Sequence, residues 1–222
     1  MSLRKRFFAA MYDGQMRRSE KAGLTDMRSA LVAQAEGTVL EIGAGTGGNL
    51  DHYRPGATFL TLTEPDIYMF KRLERRAQAV AAAALVLRSP AEDLPFEDDT
   101  FDTVVSTLVL CGVDDQPRAV REIRRVLRPA GRFLFLEHVR ADDPDLAKKQ
   151  DKMNRINRAV VCCDCNRPTL ETIEAAGFEV TQLQHTALPK APKFVRPAIV
   201  GTALAPAAPA GLAPGHSVTT PH

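Results

Sequence analysis

The sequence of 222 residues contains no tryptophan, and aromatic residues make up only 6% of it. A surface that binds single-stranded nucleic acid uses aromatic rings on which bases stack, so this scarcity argues against that function. The formal net charge is only +2, because 29 Lys and Arg residues are balanced by 27 Asp and Glu residues. No long run of Lys or Arg occurs either, and the sequence therefore predicts no nucleic-acid partner.

Long hydrophobic runs are also missing. No apolar stretch is long enough to span a membrane, and no segment resembles a cleavable signal peptide. Only four cysteines occur, and three of them crowd into residues 162–165, too close together to staple a fold. This cysteine usage is typical of a reducing compartment, so we expect a cytoplasmic protein.

The length and composition are those of one globular domain. Hydrophobic residues make up 45% of the chain and charged residues 25%, which is ordinary for a globular protein. We expect the domain to cover residues 1–204, with a helical cap at 1–35 and a substrate-side insertion at 142–166. Residues 205–222 contain no Asp, Glu, Lys or Arg and are rich in Ala, Pro and Gly, which predicts a disordered tail.

Short apolar runs alternate with segments of helical periodicity after residue 37. Strands are predicted at 38–42, 58–63, 85–87, 101–106, 132–139, from 177 onward and at 199–204. Helices are predicted at 67–82, 116–127 and 168–176, besides a helical region over 3–35. This alternation predicts an α/β fold, a doubly wound and mostly parallel seven-stranded sheet with an N-terminal helical cap.

The most informative motif is the run VLEIGAGTG at residues 39–47. An apolar strand gives way to glycines at 43, 45 and 47, which allow a sharp turn and a close approach of the backbone to a ligand. We expect a helix to begin near Asn49, so that its free N–H groups face the same ligand. Such a turn is typical of a site for a nucleotide-like molecule.

Two ligands fit this motif. Gly43, Gly45 and Gly48 also satisfy the dinucleotide pattern G-x-G-x-x-G, with Glu64 at a suitable distance for a ribose carboxylate, which would indicate a nicotinamide-dependent oxidoreductase. Glu41 favours S-adenosylmethionine instead, because a carboxylate repels a pyrophosphate but attracts an ammonium and a sulfonium. A third hypothesis is a non-catalytic protein that binds the cofactor.

The order E-x-G-x-G-x-G, followed by an acid after the next strand, resembles motif I of the class I S-adenosylmethionine-dependent methyltransferases. AEDLPF at 91–96, FDTVVSTLVL at 101–110 and the segment 122–139 resemble the small-molecule group that includes the ubiquinone/menaquinone C-methyltransferases. TLVLC at 107–111, EHV at 137–139 and CCDCNRPT at 162–169 are similar to the methyltransferase-like proteins that methylate alkyl thiols. The resemblance implies a small, apolar acceptor, with a thiol favoured over a quinone carbon, a phenolic oxygen or an amine.

The same resemblance implies which residues bind S-adenosylmethionine and its product S-adenosylhomocysteine. They are Tyr12, Glu41, Gly43, Ala44, Gly45, Gly47, Asn49, Glu64, Pro65, Ala91, Glu92, Thr107 and Leu108. The glycines would line the methionine and ribose portion, Glu41 would act on the ammonium, and Glu64 would accept hydrogen bonds from both ribose hydroxyls.

The other residues predicted to bind the cofactor could instead have only structural roles. Ala91 and Glu92 would lie at the adenine edge, and Thr107 and Leu108 would contact the methionine moiety unless they only pack in the core. Tyr12 would cover the sulfonium with its ring, or lie on the apolar face of its helix.

His138 is the best candidate for a catalytic proton acceptor, because it ends a strand and an unperturbed imidazole titrates near neutrality. The alternative is a structural histidine, since the donor is already a sulfonium and methyl transfer does not require a base. Cys162 and Cys165 form a lone C-x-x-C without a second ligand pair, so no metal site is predicted and the cysteines are expected to line or support the substrate pocket.

The N-terminal region carries Phe7 and Phe8 among several basic residues. It is predicted to act as a lid on the cofactor, and it could also rest on a membrane surface. The sequence does not indicate an oligomeric state.

Overall fold

The structure is a computed structural model that describes residues 12, 14, 16–81, 83–161 and 163–207. Its strands are β1 (Gly37–Ile42), β2 (Ala57–Thr63), β3 (Leu85–Leu87), β4 (Phe101–Thr107), β5 (Leu127–His138), β6 (Glu179–Ala187) and β7 (Pro197–Leu204). Its α-helices are α1 (Thr25–Val32), α2 (Ile67–Val80), α3 (Gln116–Val126), α4 (Pro144–Val161) and α5 (Thr169–Ala175). Within these residues, no helix is both long and apolar enough to cross a membrane.

The seven strands form one sheet in the order β3-β2-β1-β4-β5-β7-β6. Strands β1 to β5 pair in parallel, whereas β7 runs antiparallel to both β5 and β6. The predicted doubly wound, mostly parallel seven-stranded sheet is therefore confirmed.

Alternate residues of the central strands supply the two halves of the core. Phe133 and Phe135 of β5 point to one face, where α3 packs with its buried stripe around Ile123. Leu134 and Leu136 point to the other face, where they contact the cluster around α1. Because both faces are covered, the parallel strands read as nearly continuous apolar runs in the sequence.

The carboxyl ends of the parallel strands meet at one edge of the sheet. Glu41 is the penultimate residue of β1, Thr107 is the last of β4, and His138 is the last of β5. Glu64 directly follows β2. Ligands of doubly wound sheets bind at this edge, and the fold thus places the predicted site residues near one another.

The N-terminal cap differs from the single helical region predicted for residues 3–35. Its first eleven residues lie outside the described part of the chain. A π-helical turn covers Glu20–Leu24, and Gly23 adopts a φ of 121° before α1 begins. This positive φ breaks the helix and changes the direction of the chain, which only glycine does at low cost.

The prediction of a helix that begins near Asn49 is also wrong. Only a three-residue 3₁₀ turn, Leu50–His52, follows the glycine loop, and Tyr53 is already extended with ψ at 138°. Pro55 disfavours helical geometry in the residue before it, so the turn cannot be continued as a helix. The site therefore has no helix N-terminus on this loop.

The end of the described chain is held against the sheet. Ala205 is buried, and its N–H donates to the carbonyl oxygen of Gly131 at 2.9 Å. The ordered structure thus continues past the predicted tail boundary of 205, while residues 208–222 lie outside the described part. The insertion predicted at 142–166 contains α4.

Gly201 of β7 tests the packing of the sheet. A Cβ at this position would lie 2.4 Å from the carbonyl oxygen of Gln182 and 2.6 Å from the ring of Phe135. We expect Gly201→Ala to lower the free energy of unfolding by about 1–3 kcal/mol, measured by urea denaturation. The control is Gly56→Ala, where the nearest atom would be 3.4 Å away. Equal stability of the two variants would contradict this packing.

Candidate active site

The loop after β1 is shaped by its glycines. Gly43, Gly45 and Gly47 all have positive φ, between 55° and 86°. A Cβ on Gly43 would lie 2.5 Å from the side chain of Val109, and one on Gly47 would lie 2.6 Å from Leu50. The loop can therefore fold tightly onto its neighbours only without side chains at these positions.

A first cavity of about 330 Å³ lies between this loop and the N-terminal cap. Five residues predicted to bind the cofactor line it: Tyr12, Gly43, Ala44, Gly45 and Thr107. Its wall also includes Arg28 of α1, besides Glu20 and Thr25. The cap and the glycine loop thus enclose one space at the carboxyl ends of β1 and β4.

Glu64 is tied to the glycine loop. Its Oε2 accepts a hydrogen bond of 2.9 Å from the N–H of Gly45, and its Oε1 accepts one of 2.8 Å from the N–H of Asp66. Glu64 is buried and does not itself line the cavity. A carboxylate accepts several hydrogen bonds at once, so the geometry is compatible with ribose hydroxyls.

Glu41 and Asn49 lie behind the cavity wall. Glu41 accepts hydrogen bonds from the side chains of Asn49 at 2.9 Å and Tyr53 at 2.7 Å. Asn49 is fully buried and also donates to Thr107 at 3.0 Å. Neither Glu41 nor Asn49 lines the cavity, so both reach a ligand only through their neighbours.

Arg28 is the residue of this cavity that the sequence interpretation missed. Its NH1 donates to Thr107 at 2.7 Å and to Asn49 at 3.1 Å, and its Nε pairs with Glu20 at 3.1 Å. It is the only buried arginine in the described part of the chain. Its position four residues after Leu24 and three before Leu31, on the apolar side of the helix, is the signal that could have revealed it.

The residues predicted at the adenine edge follow β3. Ala91 is buried, and Glu92 accepts hydrogen bonds from the N–H groups of Asp114 and Asp115 at 2.7 and 3.3 Å. The carboxylate of Glu92 therefore fixes the start of α3. Pro65 is exposed and offers its carbonyl oxygen to Arg88. None of Pro65, Ala91, Glu92 and Gly47 lines the first cavity.

A second cavity of about 310 Å³ shares Tyr12 and Met16 with the first. Apolar side chains form much of its wall: Met16, Leu24, Leu108, Leu188 and Val195. Cys111, His138 and Cys163 line it as well. Two spaces therefore lie side by side, with the ring of Tyr12 in the wall of both.

Glu137 fixes the loop between the two cavities. Its carboxylate accepts hydrogen bonds from Ser106 at 2.6 Å and from the N–H groups of Val109 and Leu110 at 3.1 Å each. Leu108 has a φ of 60°, which is strained for a leucine. The buried carboxylate holds this turn, which points Leu108 into the second cavity and brings Cys111 to its wall.

His138 lies beside two cysteines. Its Nε2 is 2.6 Å from the Sγ of Cys163, while its buried Nδ1 has no hydrogen-bond partner among the described residues. Contacts with Cys111 and then with His138 lower the pKa of Cys163 to about 5, and the contact with Cys163 raises the pKa of Cys111. Burial disfavours a charged His138 ring, but Cys163 outweighs this effect and the pKa of His138 is raised.

These directions favour a thiolate on Cys163 and tighter proton binding by the ring of His138. The role of proton acceptor expected for His138 from the sequence stays a prediction. The sequence interpretation placed the cysteines near the pocket but missed the contact of Cys163 with His138, because the two residues are 25 positions apart.

Comparisons with known proteins decide the class. Residues 40–135 match the methyltransferase-domain family. Thiol S-methyltransferase TMT1A from Homo sapiens is 30% identical over 203 residues, which are 89% of this chain and 82% of that protein. This chain belongs to the class I S-adenosylmethionine-dependent methyltransferases.

Two further relatives agree with this assignment. The ubiquinone/menaquinone biosynthesis C-methyltransferase UbiE from Idiomarina loihiensis is 36% identical over 104 residues, which are 45% of this chain and 41% of that protein. The structure of YcgJ from Bacillus subtilis superimposes with a TM-score of 0.65 at 21% identity, covering 84% of this chain and 98% of that one. The latter likeness shows the fold.

The methyltransferase uses S-adenosylmethionine as its methyl donor, and the first cavity fits that molecule. The glycine loop is a cradle that a Cβ at Gly43 or Gly47 would disrupt. The donor carries a carboxylate, an ammonium and a ribose diol, and the loop is surrounded by Arg28, Glu41 and Glu64. A nicotinamide-dependent oxidoreductase is thereby set aside.

Replacing Glu64 tests its predicted role toward the ribose. We expect Glu64→Ala to weaken S-adenosylhomocysteine binding by about 1.5–3 kcal/mol, because charge-assisted hydrogen bonds are lost. Isothermal calorimetry measures the affinity, and Glu74→Ala, an exposed carboxylate of α2, is the control. Unchanged affinity of the Glu64 variant would remove the assignment.

Glu41 gives the protein a specific pH dependence. Burial raises its pKa from 4.5 to about 7 although Tyr53 and Asn49 donate to it and Arg28 is near. The folded protein thus holds this proton more tightly than the unfolded chain. The resulting stability is present below pH 4.5 and is lost as the pH rises through about 7.

We therefore expect Glu41→Gln, which cannot titrate, to gain stability over the parent as the pH rises across this window. The relative gain is on the order of 3 kcal/mol. Urea denaturation of the ligand-free proteins at a series of pH values measures it. A constant difference between the two proteins at all pH values would show that folding does not raise the pKa of Glu41.

Proposed function

We propose that this methyltransferase transfers the methyl group of S-adenosylmethionine to the sulfur of a small, apolar thiol. The observation that carries the proposal is the pair of adjoining cavities, one lined by the glycine loop and the other largely by apolar side chains. The similarity to a thiol S-methyltransferase over most of both chains supports the choice of acceptor.

Charge directs the donor in the first cavity. The guanidinium of Arg28 lies in its wall and can bind the methionine carboxylate. Glu41 and Asn49 act indirectly, because their hydrogen bonds hold Arg28 and Thr107 in place. Glu64 binds the ribose, while the backbone around Ala91 and Glu92 borders the adenine.

Tyr12 lies between donor and acceptor. It contributes to the walls of both cavities, and a Cβ on Gly45 would lie 4.0 Å from its ring. An aromatic face next to a sulfonium is favourable because the quadrupole of the ring attracts positive charge. The ring then also excludes water from the space in which the methyl group moves.

The second cavity selects an apolar acceptor. Leu24 and Leu188 are 1% and 6% exposed, so the inner wall offers little hydration to a polar ligand. An alkyl or aryl group would replace water on these side chains and gain about 25 cal/mol per Å² of buried apolar surface.

The reaction needs alignment more than acid–base chemistry. A sulfur lone pair of the acceptor forms the new C–S bond while the bond from the methyl carbon to the sulfonium breaks, and its electron pair remains on S-adenosylhomocysteine. A free thiol with a pKa near 8.5 is already a few per cent ionised at neutral pH. The proton of the acceptor thiol is released to water.

A quinone carbon is the second candidate for the acceptor atom. The similarity to a ubiquinone/menaquinone C-methyltransferase favours it, although that similarity covers less than half of either protein. Carbon methylation requires a base to remove a ring proton, and His138 in the wall of the second cavity is the candidate for that base.

We also propose that the protein is cytoplasmic. Cys111, Cys163 and Cys165 are free thiols, as expected in a reducing compartment. The predicted membrane contact through Phe7 and Phe8 lies outside the described residues.

A panel of acceptors tests the proposal. An alkyl thiol, a phenol, a hydroquinone and an amine are each incubated with the full-length protein and S-adenosylmethionine, and the products are identified by mass spectrometry. We expect a methyl thioether from the alkyl thiol at a rate well above the others. Methylation of the hydroquinone carbon with none of the thiol would overturn the proposal.

Filling the second cavity provides an independent check. Val195 is half-buried in its wall, so Val195→Phe should raise KM for a long-chain thiol by about tenfold or more and leave the affinity for S-adenosylhomocysteine unchanged. The matched control is Leu85→Phe on β3, which is 52% exposed and remote from both cavities. Equal KM values in these two variants would place the acceptor elsewhere.

A further inference from the structure

Three metal-binding side chains converge on the wall of the second cavity. The Sγ atoms of Cys111 and Cys163 and a ring nitrogen of His138 all lie within 4.8 Å of one another. They come from three separate segments: the loop after β4, the end of β5 and the loop after α4. The set is not visible in the sequence, because its three residues are far apart along the chain.

The surrounding backbone holds the set in place. The N–H of Asp164 donates to the carbonyl oxygen of Cys111 at 2.8 Å, which ties the two cysteine loops together. Asn157 of α4 donates to the carbonyl oxygen of Cys163 at 2.6 Å. Arg167 donates to the carbonyl oxygens of Leu110 and Val113 at 3.1 and 2.6 Å. These bonds position the ligands without help from the side chains of Cys111, His138 and Cys163.

The set has the composition and the spacing of an open zinc site. Zinc binds thiolate sulfur at about 2.3 Å and imidazole nitrogen at about 2.0–2.1 Å, so tetrahedral ligands stand roughly 3.5 Å apart. The Nε2 of His138 lies 2.6 Å from the Sγ of Cys163, and all three ligand atoms lie within 4.8 Å of one another, so the observed separations bracket this value. Two cysteines and one histidine with a fourth position left open is a ligand set of catalytic zinc.

We propose that Cys111, His138 and Cys163 bind one zinc ion whose fourth position faces the second cavity and takes the sulfur of the acceptor. Because all three residues line that cavity, the open position is directed toward the acceptor rather than into the protein. The role of this ion in catalysis rests on the proposed thiol methylation, whereas the ion site itself does not.

The ion changes which form of the acceptor is present. A thiol that binds zinc is deprotonated, because the metal charge stabilises the thiolate. Its proton passes to water, and the sulfur keeps the lone pair that forms the bond to the methyl carbon. After transfer, the neutral thioether is a weak ligand and leaves, and S-adenosylhomocysteine carries away the electron pair of the broken bond. No oxidant or reductant is consumed.

Cys165 supplies the matched control. It is buried in the same segment, but its Sγ contacts the carbonyl oxygen of Gln150 and the Oδ1 of Asn154 at 3.8 and 3.6 Å, and it is not part of the set. A change at Cys165 therefore removes a thiol from this loop without removing a ligand.

Metal binding is measured directly on the full-length protein. The protein is stripped with a chelator, loaded with zinc or cobalt alone, and freed of excess metal. We expect roughly one zinc per chain by elemental analysis, and for cobalt the thiolate charge-transfer and intense visible bands of a tetrahedral site. Cys163→Ser and Cys111→Ser should lose the bound zinc and these bands, whereas Cys165→Ser should keep both. Thermal unfolding of each variant shows that it is folded.

The outcomes separate this inference from the proposed function. If the parent binds no zinc or cobalt, or if Cys165→Ser loses the metal as completely as Cys163→Ser, the zinc site is wrong whether or not thiols are methylated. If zinc binds as described but no thiol is methylated with or without it, the site stands and the proposed acceptor fails. If both hold, chelation should lower kcat for a thiol at neutral pH, and an unchanged kcat would remove the catalytic role of the ion.

Discussion

The site depends on one buried chain of hydrogen bonds. Tyr53 and Asn49 hold the carboxyl group of Glu41, Asn49 joins it to Thr107 and Arg28, and Arg28 continues to Glu20 of the cap. The chain links the ends of β1 and β4 to the N-terminal segment. A partly satisfied buried network would be costly, so its members must be present together. The glycine loop lies against this network, and the first cavity takes its shape and charge from it.

A second buried carboxylate organises the wall of the second cavity. Glu137 holds the turn after β4 through two backbone N–H groups and Ser106. Burial raises the pKa of Glu137, so these hydrogen bonds oppose a substantial desolvation cost. The strained Leu108 and the neighbouring Cys111 are placed by this turn, and His138 follows Glu137 directly in β5. The first and second cavities are thus shaped by two networks that meet at β4.

The sequence predicts the sheet and the loop well because their signals are local. The apolar run before Gly43 and the acid at Glu64 reveal the donor side, and the alternation of strands and helices predicts the fold that the structure confirms. The prediction of a helix that begins near Asn49 is wrong because Pro55 and the extended Tyr53 end the turn after three residues. The glycine pattern itself contains no information on these later residues.

The second cavity could not be predicted because the residues of its wall are distant in sequence. Cys111, His138 and Cys163 meet only after β4, β5 and the segment after α4 are assembled. Arg28 carries no motif of its own, since a buried arginine differs from a surface arginine only in its place on the helix. Sequence patterns therefore predict the glycine loop better than the second cavity, whose wall includes residues of the cap and of the insertion.

A crystal structure with S-adenosylhomocysteine and an alkyl thiol tests the central claim most directly. The account predicts that the product cofactor occupies the cavity beside the glycine loop, with its carboxylate at Arg28 and its ribose at Glu64. Its sulfur should face the thiol across the space next to Tyr12. S-adenosylhomocysteine bound away from the glycine loop, or a thiol bound outside the cavity of Leu188 and His138, would contradict it.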